Sequence, residues 1–375
     1  MILRPEMKRN RKHPCLRTLR ITKSFYSRFS CDIILHSIQE IDVLRKNWRM
    51  ILLLYGKIEG VSQPVSRIFL GTASPPFNTG LDGSELLEAA LSQGINAIDT
   101  ARVYGLSENS LGTWLDRPGN REKVVLLSKC GHPAEDGARR VCAAEMRRDL
   151  EISLEALRTD HIDIYLLHRD DPEVAVGPLM DALNRCVDEG KLGALGVSNW
   201  TIPRIEAANE YAAKHNLRPF TVSSPNFGLA EQVCDLWGGG CVTIAGPENA
   251  EARAWYARNS VPVFAYSSLA RGLFSGRVKS DDPDSVNTGM DAFGVKGYAC
   301  DANIERLRRC EIMAAQKGLT VPQVAMAWLF NQRALDVYAL VSTSRPENMR
   351  DNIAASEVAL TDAECAWLDL RQETI

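Results

Sequence analysis

With 375 residues, 45% of them hydrophobic and 24% charged, the chain can bury one large core or two smaller ones. Its formal net charge of -3 is unevenly spread: residues 1–49 hold twelve Lys or Arg against four acids, which leaves 32 bases and 43 acids for the rest. An acidic body lacks the basic stripe that nucleic-acid binding requires, and no apolar run approaches the roughly 18 residues of a membrane span. A soluble, cytoplasmic protein is expected, without nucleic-acid or membrane partners.

The basic leader is Arg-rich with interspersed Ser and Thr, as in a transit peptide or a nucleic-acid arm, but its acids and the apolar patch CDIILHSIQEIDVL fit neither. The compositional break falls at Met50. Residues 1–49 therefore read as a disordered leader or as sequence upstream of the natural start, and the folded domain is expected over residues 60–375. The ten cysteines form no C-x-x-C pair and no Cys/His group at zinc spacing, which favours free thiols over a disulfide framework and suggests no metal site.

From residue 67 one theme recurs: a short apolar run, a loop, then an amphipathic stretch. The strand candidates are RIFLGT (67–72), NAIDT (96–100), KVVLLSK (123–129), IDIYLLH (162–168), ALGVSN (194–199), FTVSS (220–224), VPVFAYS (261–267) and VYALVS (337–342). Helical spacing separates them, beginning with SELLEAALSQG, where Ser84 is the expected N-cap and Gly94 the stop. RRVCAAEMRRDLEISLEALR, VGPLMDALNRCVDEG, IPRIEAANEYAAKH, ENAEARAWYARN and NIERLRRCEIMAAQKG follow, and then VPQVAMAWLFNQ with Pro322 in its first turn. Strands that alternate with helices pair in parallel, and runs apolar at nearly every position are buried on both faces.

Eight such units predict an α/β fold of the (β/α)8 TIM-barrel type. A doubly wound sheet would carry G-x-G-x-x-G after its first strand, and LGTASPPFNTG does not supply it. Two segments depart from the repeat: LWGGGCVTIAGP before the seventh strand and the loop ARGLFSGRVKSDDPDSVNTGMDAFGVKG after it. A long loop following a barrel strand lies on the catalytic face, so the second is expected to cover a ligand.

Barrel strands deliver their C-terminal ends to one mouth, where polar residues are candidates for chemistry. Asp99 closes the second strand and Tyr104 follows it; Lys129 closes the third, His168 the fourth, and Ser198 with Asn199 the fifth. Each alone has an ordinary explanation, as a turn cap, a loop aromatic, a solvated strand end or a core histidine. Together they put an acid, a phenol, an amine and an imidazole at one opening.

Over about residues 65–370 the chain resembles the aldo-keto reductase superfamily, through GINAIDTARVYGLSENSLG, LLSKCG, DIYLLHRDDP, GKLGALGVSNW, FAYSSLARGLFSG and TSRPENMRDNIAA in that order. The resemblance implies a catalytic tetrad of Asp99, Tyr104, Lys129 and His168 that reduces a small-molecule carbonyl with NADPH, Tyr104 acting as general acid. In such a tetrad Lys129 should lower the Tyr104 pKa from its ordinary ~10, Asp99 should hold the ammonium, and a neutral His168 should orient the substrate oxygen.

The resemblance also implies cofactor contacts. Ser198 and Asn199 would take the nicotinamide carboxamide and Tyr266 would stack on the ring. Ser267 and Leu269 would lie near the pyrophosphate, and Thr72 would be a further cofactor contact. The adenosine phosphate would sit on the segment from Ser342 to Asn352, including Ser344, Arg345, Asn348 and Asp351. Two departures from the family pattern stand out: Ser224 occupies a position where Gln is common, and Ser342 and Asn348 align with the usual basic residues for a 2'-phosphate. Arg345 or Arg350 could supply that charge, and NADH is the alternative cofactor.

For the substrate, Phe77, Tyr104 and Trp200 are expected to line an apolar pocket, and the last helix, DAECAWLDLRQ, ends close to Ile375, which suggests an open site. Two rival functions are a cofactor-binding regulatory subunit with little turnover and a lyase or isomerase using Lys129 as a Schiff base. The complete tetrad argues against the first, and an acid beside the lysine, which keeps it protonated, argues against the second. The oligomeric state is not encoded in any feature of the sequence.

Overall fold

Parallel register runs without a break around eight strands: β3 (Ile68–Gly71), β4 (Ala97–Asp99), β5 (Val125–Cys130), β6 (Ile162–Leu167), β7 (Leu192–Ser198), β8 (Phe220–Ser224), β9 (Val263–Ala265) and β10 (Val337–Ser342). The last pairs with the first, Ala339 opposite Ile68 and Ser342 opposite Gly71, so the sheet closes into a barrel as the sequence predicts. This computed structural model describes residues 55–237 and 239–375; the expectations for the leader, 1–49, lie outside the described residues.

Two layers of apolar side chains explain the closure. Phe69, Ala97, Val125, Leu127, Ile164, Leu166, Ala194, Val222, Phe264 and Tyr338 fill the barrel interior, while the alternate strand positions join a larger cluster beneath the helices. Burial on both faces is why these strands read as continuous apolar runs rather than as alternating ones. A hairpin of β1 (Tyr55–Gly56) and β2 (Val65–Ser66) was not anticipated; it begins five residues ahead of the expected boundary at 60. Its Ile58, Val61 and Val65 pack into the interior cluster, and Gly60 lies against Ala194 near the start of β7, so the hairpin plugs the N-terminal end.

The helices are α1 (Ser84–Ser92), α2 (Ser107–Leu115), α3 (Ala143–Leu157), α4 (Val176–Asp188), α5 (Ile202–His215) and α6 (Ala250–Asn259). They continue as α7 (Asp284–Gly289), α8 (Ala292–Tyr298), α9 (Asp301–Lys317), α10 (Val321–Phe330), α11 (Pro346–Ser356) and α12 (Asp362–Leu368). Ser84 is the first helical residue rather than the N-cap: the Asp82 carboxylate, two residues earlier, accepts its N–H at 2.9 Å and its hydroxyl at 2.5 Å. Gly94 does follow the end of α1 with φ of 87°, as a helix stop should. Pro322 sits in the first turn of α10, where Thr320 and Gln323 form a capping box. The long segment after β9 is not wholly irregular, since α7 and α8 lie within it. Among the described residues, no helix is long and apolar enough to cross a membrane.

Candidate active site

The C-terminal ends of the strands open into a cleft of about 1010 Å³, and the residues on its wall come from every part of the barrel. β4 delivers Asp99 and β5 delivers Lys129, in neighbouring strands whose register sets Asp99 opposite Leu127. Their side chains form a buried ion pair, 6% and 2% exposed, and the Lys129 ammonium also donates to the Thr100 carbonyl at 2.9 Å. Tyr104, in the loop after β4, brings its hydroxyl within 3.4 Å of Lys129 Nζ, and the ammonium lies 4.8 Å from the ring centroid. His168, just beyond β6, sets its ring edge-on to Tyr104 at 5.8 Å between centroids. Asp99, Tyr104, Lys129 and His168 therefore meet, as strand-end reasoning expects.

The electrostatics of this group follow from burial. Burial works against the Lys129 ammonium, but Asp99 and Tyr104 overcome it and hold the pKa above its ordinary value. Burial pushes the Asp99 carboxyl up while the ammonium pulls it back. His168 is held well below its usual range by burial first and by the charges of Lys129 and Arg169 second, so the imidazole is neutral at pH 7. The Tyr104 phenol corrects the expectation: burial raises its pKa, and Lys129 only partly opposes the rise.

The residues expected to hold a cofactor fall mostly on the same wall. Ser198, Asn199, Ser224, Tyr266, Ser267, Leu269, Ser342, Ser344, Arg345, Asn348, Asp351 and Asn352 all line the cleft. Thr72 does not; it is buried at the end of β3, where its N–H and hydroxyl both donate to the Asp99 carbonyl at 2.9 and 3.0 Å. It steadies the strand end that carries Asp99. Phe77 and Trp200, expected in the substrate pocket, are core residues instead, 0% and 1% exposed. Arg345 is exposed on the wall, whereas the cleft lining does not include Arg350.

Asn199 takes φ of +60°, a left-handed conformation that asparagine tolerates better than most residues. That turn sets its side-chain oxygen to accept from the Tyr266 hydroxyl at 2.7 Å and from the Val242 N–H at 3.1 Å. Its amide nitrogen donates to Ser198 Oγ at 3.0 Å. Ser198 Oγ donates to the Ser224 carbonyl and Ser224 Oγ to the Phe264 carbonyl, which links the ends of β7, β8 and β9. Val242 belongs to the Gly-rich insertion, whose Trp237 packs edge-on to Tyr266 at 5.9 Å and lines the cleft.

Sequence reasoning missed Ser74, His132, Arg169, Trp237 and Arg277, all of which line the cleft. His132 follows β5 and packs its ring 5.1 Å from that of His168. A strand-end reading carried one residue past His168 would have found Arg169; the others sit in loops with no periodic signal.

Residues 67–370 match the Aldo/keto reductase family. The chain belongs to this family. It is accordingly an oxidoreductase, linked to NAD(P)H and acting on carbonyl groups of small molecules. It is 28% identical over 286 residues to Aldo-keto reductase YhdN of Bacillus subtilis (strain 168), covering 73% of this chain and 77% of the relative. It is 26% identical to Aldo-keto reductase yakc [NADP(+)] of Schizosaccharomyces pombe, covering 74% and 78%. The solved glycerol dehydrogenase AKR11B4 from Gluconobacter oxydans has the same fold, with a TM-score of 0.66 at 24% identity over 84% of this chain and 94% of that one.

Proposed function

We propose that this reductase converts an aldehyde or ketone to an alcohol with NADPH as the reductant and Tyr104 as the proton donor. The observation that carries the reading is the Lys129 ammonium bonded to both the Asp99 carboxylate and the Tyr104 hydroxyl, in one cleft with a neutral His168.

A carbonyl under reduction gathers negative charge on oxygen and needs a proton there. Burial keeps the Tyr104 phenol protonated at neutral pH, so the donor is loaded before reaction. Lys129, 3.4 Å from that hydroxyl, stabilises the phenolate left behind, and Asp99 compensates and fixes the ammonium. A neutral His168 hydrogen-bonds the substrate oxygen without setting a second cation against Lys129. The nicotinamide, when bound, supplies the hydride that no side chain can donate.

The cleft suits such a cofactor. Ser74 Oγ and His168 Nδ1 are buried on its wall without a hydrogen-bond partner among the described residues, so polar groups there await a ligand. The Ser198 and Ser224 hydroxyls both donate to carbonyls and keep lone pairs for the carboxamide N–H groups, while Tyr266 offers a ring face. Ser267 and Leu269 would take the pyrophosphate, and Ser342, Ser344, Arg345, Asn348, Asp351 and Asn352 the adenosine phosphate. NADPH is preferred to NADH because Arg345, the residue at the positive, N-terminal end of α11, is exposed on the cleft wall and Arg277 adds a second guanidinium. The fission-yeast relative, whose name carries NADP(+), supports the same choice.

A fluorescence titration with NADPH and NADH, followed by 4-nitrobenzaldehyde in the same sample, tests this. Tighter binding of NADPH and its oxidation on adding aldehyde are expected. Tighter binding of NADH overturns the cofactor assignment, and binding without oxidation across several carbonyls overturns the reductase.

A further inference from the structure

We propose that Arg169 anchors a carboxylate on the substrate, so that the preferred substrates are oxo acids and carboxylated aldehydes. This rests on the reductase reading above and names the substrate class of that site.

Arg169 is 7% exposed and lines the cleft directly after His168. Among the described residues its one side-chain hydrogen bond to protein runs from Nη1 to the His168 carbonyl at 3.0 Å. Its sequence neighbours Asp170 and Asp171 are engaged by Arg204 and Arg139, and Asp99 and Asp291 on the cleft wall by Lys129 and Arg271. No carboxylate among the described residues lies within ion-pair distance of Arg169. A guanidinium carries five N–H donors, and one this deeply enclosed on the cleft wall favours an anionic ligand.

The charge also acts at the reacting end of the cleft. It disfavours protonation of His168 and His132, and it opposes the upward shifts that burial imposes on Tyr104 and Tyr266. The anion it calls for therefore belongs to the molecule whose carbonyl meets Tyr104. Charge counting selects the kind of anion. Lys129 is balanced by Asp99 and both histidines are held neutral, which leaves Arg169 as the uncompensated positive charge among these groups at the reacting end. A monoanionic carboxylate balances it and matches the paired N–H edge of a guanidinium; a phosphate dianion would leave an excess negative charge.

The test compares kcat/KM for 2-, 3- and 4-carboxybenzaldehyde with that for the matching nitrobenzaldehydes at saturating cofactor. Nitro and carboxylate groups are close in shape, and the nitro group, as the stronger electron-withdrawer, activates the carbonyl more, so a carboxylate preference has to arise in binding rather than in intrinsic reactivity. At least one carboxylate isomer should exceed its nitro counterpart by about tenfold or more, mainly through KM, as a buried charge-assisted pair warrants. Arg169→Gln should erase that ratio and Arg169→Lys should keep part of it. A wild-type enzyme with no carboxylate preference, or a preference that survives in Arg169→Gln, overturns the proposal. So does an Arg169→Gln variant that loses NADPH affinity while its carboxylate ratio holds.

A larger preference for glyceraldehyde 3-phosphate over glyceraldehyde than for any carboxylate would replace the monoanion assignment. Failure to reduce any nitrobenzaldehyde defeats the reductase reading itself, which separates the two failures. Calorimetry of benzoate binding to the NADP+-loaded protein reads the subsite without turnover. Weaker binding to Arg169→Lys than to wild type is expected, and equal binding overturns the anchor.

Discussion

The Tyr104 phenol, the proposed proton donor, is protonated at neutral pH because burial outweighs the pull of the ammonium 3.4 Å away. Tyr104→Phe removes that proton and leaves the ring, so carbonyl reduction should fall by about 10²–10⁴-fold with NADPH affinity nearly unchanged. Retained turnover in that variant would take the proton-donor role from Tyr104. The pH profile follows from the same shifts. With His168 pushed well below its ordinary value and Tyr104 pushed above its own, kcat/KM for reduction should stay level between about pH 6.5 and 9. An acidic limb near 6.5 would mean that the imidazole titrates normally. His168 also affects stability. Its folded pKa lies below the unfolded value of about 6.5, so below that pH the unfolded chain binds the extra proton and stability declines as pH falls. Urea midpoints at pH 7 and 5 should therefore separate more in the wild type than in His168→Gln. The tetrad was legible because each member closes or follows a strand; Arg169 was as close to a strand end, but its missing partner is visible only in three dimensions.

At the level of elements, the loop after β5 is held by α3. Gly131 turns the chain with φ of 70° and donates its N–H to Asp149 Oδ2 at 3.0 Å, while Arg140 Nη2 pairs with Asp149 Oδ1 at 2.6 Å. Asp149 is 2% exposed, and the loop it fastens carries His132 to the side of His168. Asp149→Ala leaves the Gly131 amide unpaired and Arg140 held by Glu145 alone, which should cost about 2 kcal/mol in chemical denaturation. A loss below about 0.5 kcal/mol would mean that water replaces both partners. Periodicity located most helices, yet it placed the start of α3 four residues early, since the Arg140 and Cys142 backbone is still extended or irregular where the apolar spacing has begun. It passed over α2, whose nine residues carry a weak stripe, and α7 and α8, which are short and lie in a polar loop. The hairpin of β1 and β2 escaped because two-residue strands have no period to read.

For the whole molecule, ligand binding and folding are linked. NADPH at about 100 times its Kd should stabilise the folded protein by about 2.7 kcal/mol, visible as a Tm higher by several degrees, with a smaller rise for NADH at the same concentration. No shift with either would remove the cleft from cofactor binding. Eight apolar runs at barrel spacing determined the architecture by themselves, because strands buried on both faces leave a continuous hydrophobic signature and helices between them force parallel pairing. The same runs determined which polar residues face one mouth, since strand direction is shared. Tertiary structure alone decided that Thr72 supports Asp99 rather than the cleft, that Phe77 and Trp200 serve the core, and that Trp237 and Arg169 reach the reacting end. Those outcomes depend on how loops of no fixed period fold over the strand ends and on which charges find partners there, and neither is written in local order along the chain.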